Sequence, residues 1–165
     1  NLSGIVRWLR NQSGEVVTRS CGWRRLGFNF GVSAEAGCKV DVAALTFTGA
    51  AADSVTSKRI FTTDTGLITS GLGAQYFMDG VLTWITGDNV GSQNEVSAHD
   101  ADVAGAYTLE LYIESAYPIQ PGDTFSIEPG CNRLPATCKV KFNNFENFNG
   151  ADALPDSQTT LGVIS

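Results

Sequence analysis

Tyr107-Thr108-Leu109-Glu110-Leu111-Tyr112-Ile113-Glu114 is the stretch whose reading decides the fold. Leu109, Leu111 and Ile113 alternate with Thr108, Glu110 and Glu114. Because a strand sends successive side chains to opposite faces, the segment reads as a strand with one face buried. Downstream, Pro118, Pro121 and Gly122 break the chain before a second alternating run, Asp123 to Glu128, which stops at Pro129-Gly130. Upstream, Gly80-Val81-Leu82-Thr83-Trp84-Ile85-Thr86-Gly87 is rich in β formers and bounded by glycines, and Val40, Val42, Leu45 and Phe47 lie among threonines. Everything after Cys38 thus reads as strand and turn, with about six short strands and no helices between them to make parallel crossovers. The expected class is mainly β, a small antiparallel barrel or sandwich. Only the start differs. Leu2, Ile5, Val6 and Leu9 recur at helical spacing between Ser3, a plausible cap, and Gly14, a plausible stop, which predicts a short N-terminal helix.

These readings divide a single domain, residues 1–165, into five parts. They are a helix over 1–14, a first cysteine loop over 15–38, a β domain over 39–130, a cysteine-rich C-terminal segment over 131–150, and an extended tail over 151–165, where periodicity is lost. The length suits one core of its own. Apolar residues make up 42% and charged residues 17%, so the chain can bury enough surface to fold. The apolar runs are too short to cross a bilayer, and no secretory signal is visible. The first residue is Asn1 rather than Met, as expected of a processed chain or part of a longer one. A net charge of -6 opposes the phosphate contacts that drive nucleic-acid binding, so no direct sequence-specific nucleic-acid partner is expected.

Four cysteines bracket the strands: Cys21 and Cys38 with sixteen residues between them, Cys131 and Cys138 with six. If all four meet, they close the domain end to end. Two disulfides are the default for an even count in a secreted domain, although the core here looks adequate without them. Zinc favours two short knuckles with two to four residues between ligands, which these spacings fit poorly. An iron-sulfur cluster also takes four thiolates and, being larger than one ion, accepts more varied spacing. Four buried free cysteines, acting as small hydrophobes, complete the alternatives.

The C-terminal residues carry a resemblance. Gly122-Asp123, Gly130-Cys131-Asn132, Thr137-Cys138, Phe142-Asn143-Asn144, Asn147-Phe148 and Gly150 resemble the signature of the hub (minor tail) proteins of long, non-contractile-tailed phages and gene transfer agents. Phe77, Gly80, Trp84, Gly87, Asn89, Gly91 and Glu95-Val96 look like that family's central strand-turn-strand segment. Ser20-Cys21, Leu26-Gly27 and Gly37-Cys38-Lys39-Val40 look like its first cysteine pair, with Phe28 to Ala36 enlarging the loop. The resemblance implies a virion protein of the tail tip or baseplate, a homotrimer around the tail axis, joining the distal tail protein to the central tip or fibre protein. It also implies that Cys21, Cys38, Cys131 and Cys138 are the four ligands of an iron-sulfur cluster, expected to be 4Fe-4S. Loading would then take place in the reducing host cytoplasm, where thiols stay free.

Phe142, Phe145 and Phe148, three residues apart, would let their rings shield such a cluster or simply pack as core. Asn143, Asn144 and Asn147 would donate to sulfur or cap backbone. No enzyme is expected. His99 is the only histidine, and Ala98 and Asp100 beside it read as a polar turn. The carboxylates Asp100, Asp102, Glu110 and Glu114 are scattered, and no glycine loop opens a helix to cradle phosphate. The competing readings are a secreted β binding domain closed by disulfides and a small iron-sulfur redox protein.

Overall fold

The alternating segments build an antiparallel sheet in a computed structural model that describes residues 19–22, 26–27, 37–52, 57–63, 72–101 and 107–150. The helix expected over 1–14 and the tail expected over 151–165 lie outside the described residues. Within them are β1 (Phe47–Ala50), β2 (Ile60–Thr62), β3 (Val81–Trp84), β4 (Gln93–Ala101), β5 (Tyr107–Leu111) and β6 (Thr124–Ile127). Their order across the sheet is β1-β6-β3-β4-β5-β2, every pair antiparallel.

The sheet curls because of one long strand. β4 pairs with β3 through Gln93 to Glu95 and with β5 through Val96 to Ala101, and its register shifts between Val96 and Ala98. An extra residue at such a bulge bends the strand and increases its twist. The two outer strands then approach each other: Ala51, just past β1, bridges Thr63, just past β2, and the Ala52 N–H donates to the Thr62 carbonyl at 2.9 Å. The expected barrel is therefore present as a half-barrel whose seam is held at one end.

Period-two burial fills its interior. Leu82 and Trp84 on β3, Leu109 and Leu111 on β5, and Phe125 and Ile127 on β6 are all buried, while Thr83, Glu110 and Ser126 between them are not. Phe61, Trp84 and Phe125 form an aromatic triangle with ring centroids 5.4 to 5.8 Å apart, mostly edge to face, the geometry that favours the ring quadrupoles.

Three expectations are corrected. The strand at 107 stops at Leu111, so Ile113 is 76% exposed rather than inward: the Arg59 Nε–H takes the Leu111 carbonyl at 3.0 Å, and Asn94 Nδ2 donates to the Ile113 carbonyl, drawing the chain off the sheet. Leu45 lies in a 3-10 turn, Ala43–Leu45, in which the Leu45 N–H bonds the Val42 carbonyl, and a six-residue helix occupies Pro135–Val140, so the region after Cys38 is not purely strand and turn. His99 is no polar turn. It is a fully buried residue of β4, its ring 4.9 Å from that of Phe77 and 4.6 Å from that of Tyr107.

Among the described residues no helix is long and apolar enough to cross a membrane.

Candidate functional site: the four-cysteine pole

At the pole where β6 ends and β3 begins, two backbone segments cross almost in contact. A Cβ on Gly130 would lie 1.6 Å from the Met78 carbonyl oxygen, and one on Gly80 would lie 2.1 Å from the Glu128 carbonyl oxygen, so only glycines fit the crossing. Gly130 delivers the chain to Cys131. From there Arg133, with a left-handed φ of 62°, turns it into the helix Pro135–Val140. Pro135 suits a first turn, where its missing N–H would have had no partner, and Asn132 Oδ1 accepts the Leu134 N–H at 3.0 Å. Cys138 is the buried residue of that helix.

The first cysteine pair meets the second through backbone contacts. Cys21 N–H donates to the Arg133 carbonyl and Gly22 N–H to the Asn149 carbonyl, each at 2.8 Å. Asn144 links both pairs: its backbone N–H donates to the Cys138 carbonyl at 3.0 Å, its carbonyl accepts the Cys138 thiol at 3.2 Å, and its amide points at Cys38 Sγ at 3.7 Å. Asn147 Nδ2 donates to Asn144 Oδ1 at 2.6 Å, so one asparagine of the three addresses sulfur and a second orients it. The phenylalanines do less than their spacing promised. Phe145 and Phe148 stack with centroids 5.6 Å apart, but Phe145 is 40% exposed.

The two C-terminal thiols are both shifted upward. Burial pushes the Cys138 thiol up, and the charges of Cys38, Cys21 and Cys131 push it further. Burial also raises Cys131; the Arg133 backbone hydrogen bond opposes this, Cys38 and Cys21 add to it, and Lys141 opposes it. All four are free rather than disulfide-bonded. Cys21, Cys38 and Cys138 are buried, whereas Cys131 is half-exposed on the wall of a cleft of about 880 Å³ that Asp79, Glu95, Glu128 and Arg133 also line.

Sequence reasoning missed Lys141. Its ammonium turns inward to donate to the carbonyls of Tyr76 and of Gly130, the latter at 2.7 Å, with the Tyr76 ring centroid at 4.5 Å and that of Phe142 at 5.2 Å. Burial lowers it to about 8, while Cys131 and Asp79 pull upward. The only signal was a cation between Val140 and Phe142 in a segment otherwise rich in aromatic and amide side chains.

Among the described residues, which include all four cysteines, no group of three or more His, Cys, Asp or Glu is arranged to hold a metal ion. The donor types are those a multi-iron cluster takes, four free thiols with the Asn144 amide aimed at Cys38 Sγ, but they are not gathered into a metal-holding group here.

Residues 75–158 match the family described as phage conserved hypothetical protein BR0599. The fold is similar to that of a chain in the virion of a native gene transfer agent particle, with a TM-score of 0.73 and 23% identity over 96% of this chain and 51% of that one. This chain therefore spans about half the length of that relative. No curated protein matches the sequence.

Proposed function

Because this chain belongs to the family of phage conserved hypothetical protein BR0599, we propose that it is a structural protein of a phage or gene transfer agent virion, acting as a hub in the tail tip. In this role it joins the distal tail protein to the central tip or fibre protein as a homotrimer, and Cys21, Cys38, Cys131 and Cys138 hold a structural iron-sulfur cluster. The observation that carries the reading is that Asn144 contacts the sulfurs of both Cys38 and Cys138 while Cys21 is bonded to Arg133 beside Cys131, in a fold like that of a gene transfer agent virion chain.

The chemistry assigned to the site is cross-linking. When bound, a cluster supplies four strong iron-thiolate bonds. The chain's own residues do the rest. Gly80 and Gly130 set where Cys131 emerges, Asn144 holds Cys38 and Cys138 in register, and the Arg133 backbone hydrogen bond favours the Cys131 thiolate. Burial raises the Cys131 and Cys138 thiols, so loading must release protons, and folding of the pole is coupled to assembly of the group. The half-exposed edge at Cys131 is also what a redox carrier would use. The hub reading is preferred on the virion fold.

The decisive experiment is iron and acid-labile sulfide analysis with a visible spectrum on protein purified without oxygen. Iron with matching sulfide supports the cluster; colourless protein lacking metal, sulfide and free thiols would replace it with the disulfide-closed binding domain. Antibody labelling of intact particles tests the position. Label at the distal end of the tail is expected, and label confined to the head would refute the hub.

A further inference from the structure

The short helix Pro135–Val140 ends in an apolar residue that its own packing turns away from the protein. Cys138 is buried, and Lys141, three residues on, sends its ammonium back to the Tyr76 and Gly130 carbonyls, so these two positions hold one face inward. Val140 is left on the other side, 84% exposed, next to exposed Lys139, while exposed Leu134 and Arg133 stand at the helix start. A β-branched side chain there adds nothing to the helix itself. The element presents an apolar knob flanked by cations, and it contains no acidic residue.

A groove of the opposite character lies elsewhere on the same chain. It has a volume of about 300 Å³ and separates the start of β4 from the loop that follows β5. Tyr112 and Ile113 are exposed on its wall together with Glu95 and Glu114, and no lysine or arginine lines it. Hydrogen bonds fix its shape in advance: Asn94 Nδ2 donates to the Ile113 carbonyl at 3.3 Å, the Tyr112 hydroxyl to Asp79 Oδ1 at 2.9 Å, and the Ser115 N–H to the Lys58 carbonyl at 2.8 Å. Lys58 also ties the loop through its ammonium, bonded to the Ala116 carbonyl at 3.0 Å, but stays out of the groove lining.

We propose that the helix Pro135–Val140 of one copy docks in this groove on another copy, with Val140 entering against Tyr112 and Ile113 and Lys139 meeting Glu95 and Glu114. Charge complementarity selects the occupant: an apolar groove edged by carboxylates matches an apolar knob edged by cations, and one chain carries both halves. The contact joins two different surfaces, the kind that closes identical subunits into a ring. The inference rests on the homotrimer of the proposed function and names the surfaces by which its copies meet; it does not depend on what the cysteines hold.

The test uses the full chain under reducing conditions, as wild type, Val140→Glu, Lys139→Glu, Glu114→Lys and the double variant Lys139→Glu/Glu114→Lys. All three positions are exposed, so circular dichroism and urea midpoints should match wild type and establish that each variant is folded. In sedimentation equilibrium the wild type is expected to form trimers that weaken as salt is added. Val140→Glu should weaken association at least about tenfold, since it sets a third carboxylate against two. Each single charge reversal should also weaken it, and the double variant should recover toward wild type. A photo-cross-linking amino acid in place of Val140, in a mixture of isotope-labelled and unlabelled chains, should join heavy to light chains through residues 112–116. Trimers whose cross-links from position 140 fall elsewhere, or whose strength none of the variants changes, would overturn this contact and leave the homotrimer standing. A wild-type chain that stays monomeric and gives no heavy-to-light product would overturn both. In intact particles, cross-links from position 140 to a different protein would give the helix to that partner and refute the self-contact.

Discussion

Replacing Gly130 with alanine should unfold the cysteine pole from a distance, and the size of the effect can be worked out. Side-chain Cβ atoms essentially never come within 3.0 Å of another heavy atom, and the new methyl would start 1.6 Å from the Met78 carbonyl oxygen, 2.4 Å from the Asp79 carbonyl carbon and 2.5 Å from the Gly80 nitrogen. Every obstructing atom is backbone, so no rotamer relieves the clash: the segments must separate by at least about 1.4 Å, the shortfall on the closest contact. That displacement strains two hydrogen bonds of the crossing, Glu128 N–H to the Val81 carbonyl at 2.9 Å and Lys141 to the Gly130 carbonyl at 2.7 Å. At about 1 kcal/mol for each bond and about 2 kcal/mol for overpacking, the loss is about 4 kcal/mol. With a urea slope of about 2 kcal/mol/M, the unfolding midpoint should fall by about 2 M. Gly73→Ala is the control, since nothing lies within 4 Å of its added methyl, and it should stay within about 0.5 kcal/mol of wild type. A Gly130→Ala midpoint within about 0.5 M of wild type would refute the argument that the crossing admits only glycine.

Stability should fall in mild acid because of His99. Burial lowers its pKa from 6.5 to about 4, with Asp100 opposing and Lys141 assisting, so the unfolded chain takes up a proton that the folded one refuses. The contribution is intact above 6.5 and decreases as pH falls toward 4, by about 2 kcal/mol between pH 7.5 and pH 5. Urea midpoints should lose this pH dependence in His99→Phe, which also removes two ring nitrogens that have no hydrogen-bond partner among the described residues; an unchanged slope would show that His99 is not its source. Asn89→Ala should cost about 2 to 3 kcal/mol and expose the Tyr117 amide to hydrogen exchange, because buried Asn89 both donates to the Tyr117 carbonyl and accepts its N–H. Cys138→Ser should purify colourless with a lowered melting temperature; normal iron in that variant would remove Cys138 from the ligand set.

The strands were legible where burial is one-sided. In Leu109 and Leu111, or Phe125 and Ile127, the period of two is the direct imprint of an inner face, and the sequence carries it residue by residue. β4 left no such imprint, because a bulge breaks its alternation after Val96 and its one large inward side chain beyond that point, His99, reads as polar. Ile113 misled for the opposite reason: its alternation was correct, but side-chain bonds from Arg59 and Asn94, invisible locally, end the strand first. In the pole, the cysteines and Asn144 were visible as residue types with sulfur chemistry. Lys141 was not, since a lysine next to valine looks like any surface charge until the Tyr76 and Gly130 carbonyls are seen above it.

The adjacency of entrance and exit has a consequence for load. The chain enters the half-barrel after Cys38 and leaves it at Cys131, while Cys21 and Gly22 are bonded to Arg133 and Asn149 outside them. Tension drawn across the flanks at residues 21 and 149 therefore runs through the cysteine pole alone. The six strands hang beside the line of force like a pendant on a clasp. Pulling by the ends should rupture that clasp first and leave the sheet folded, whereas pulling through a loop such as 87–91 should unzip the strands at lower force.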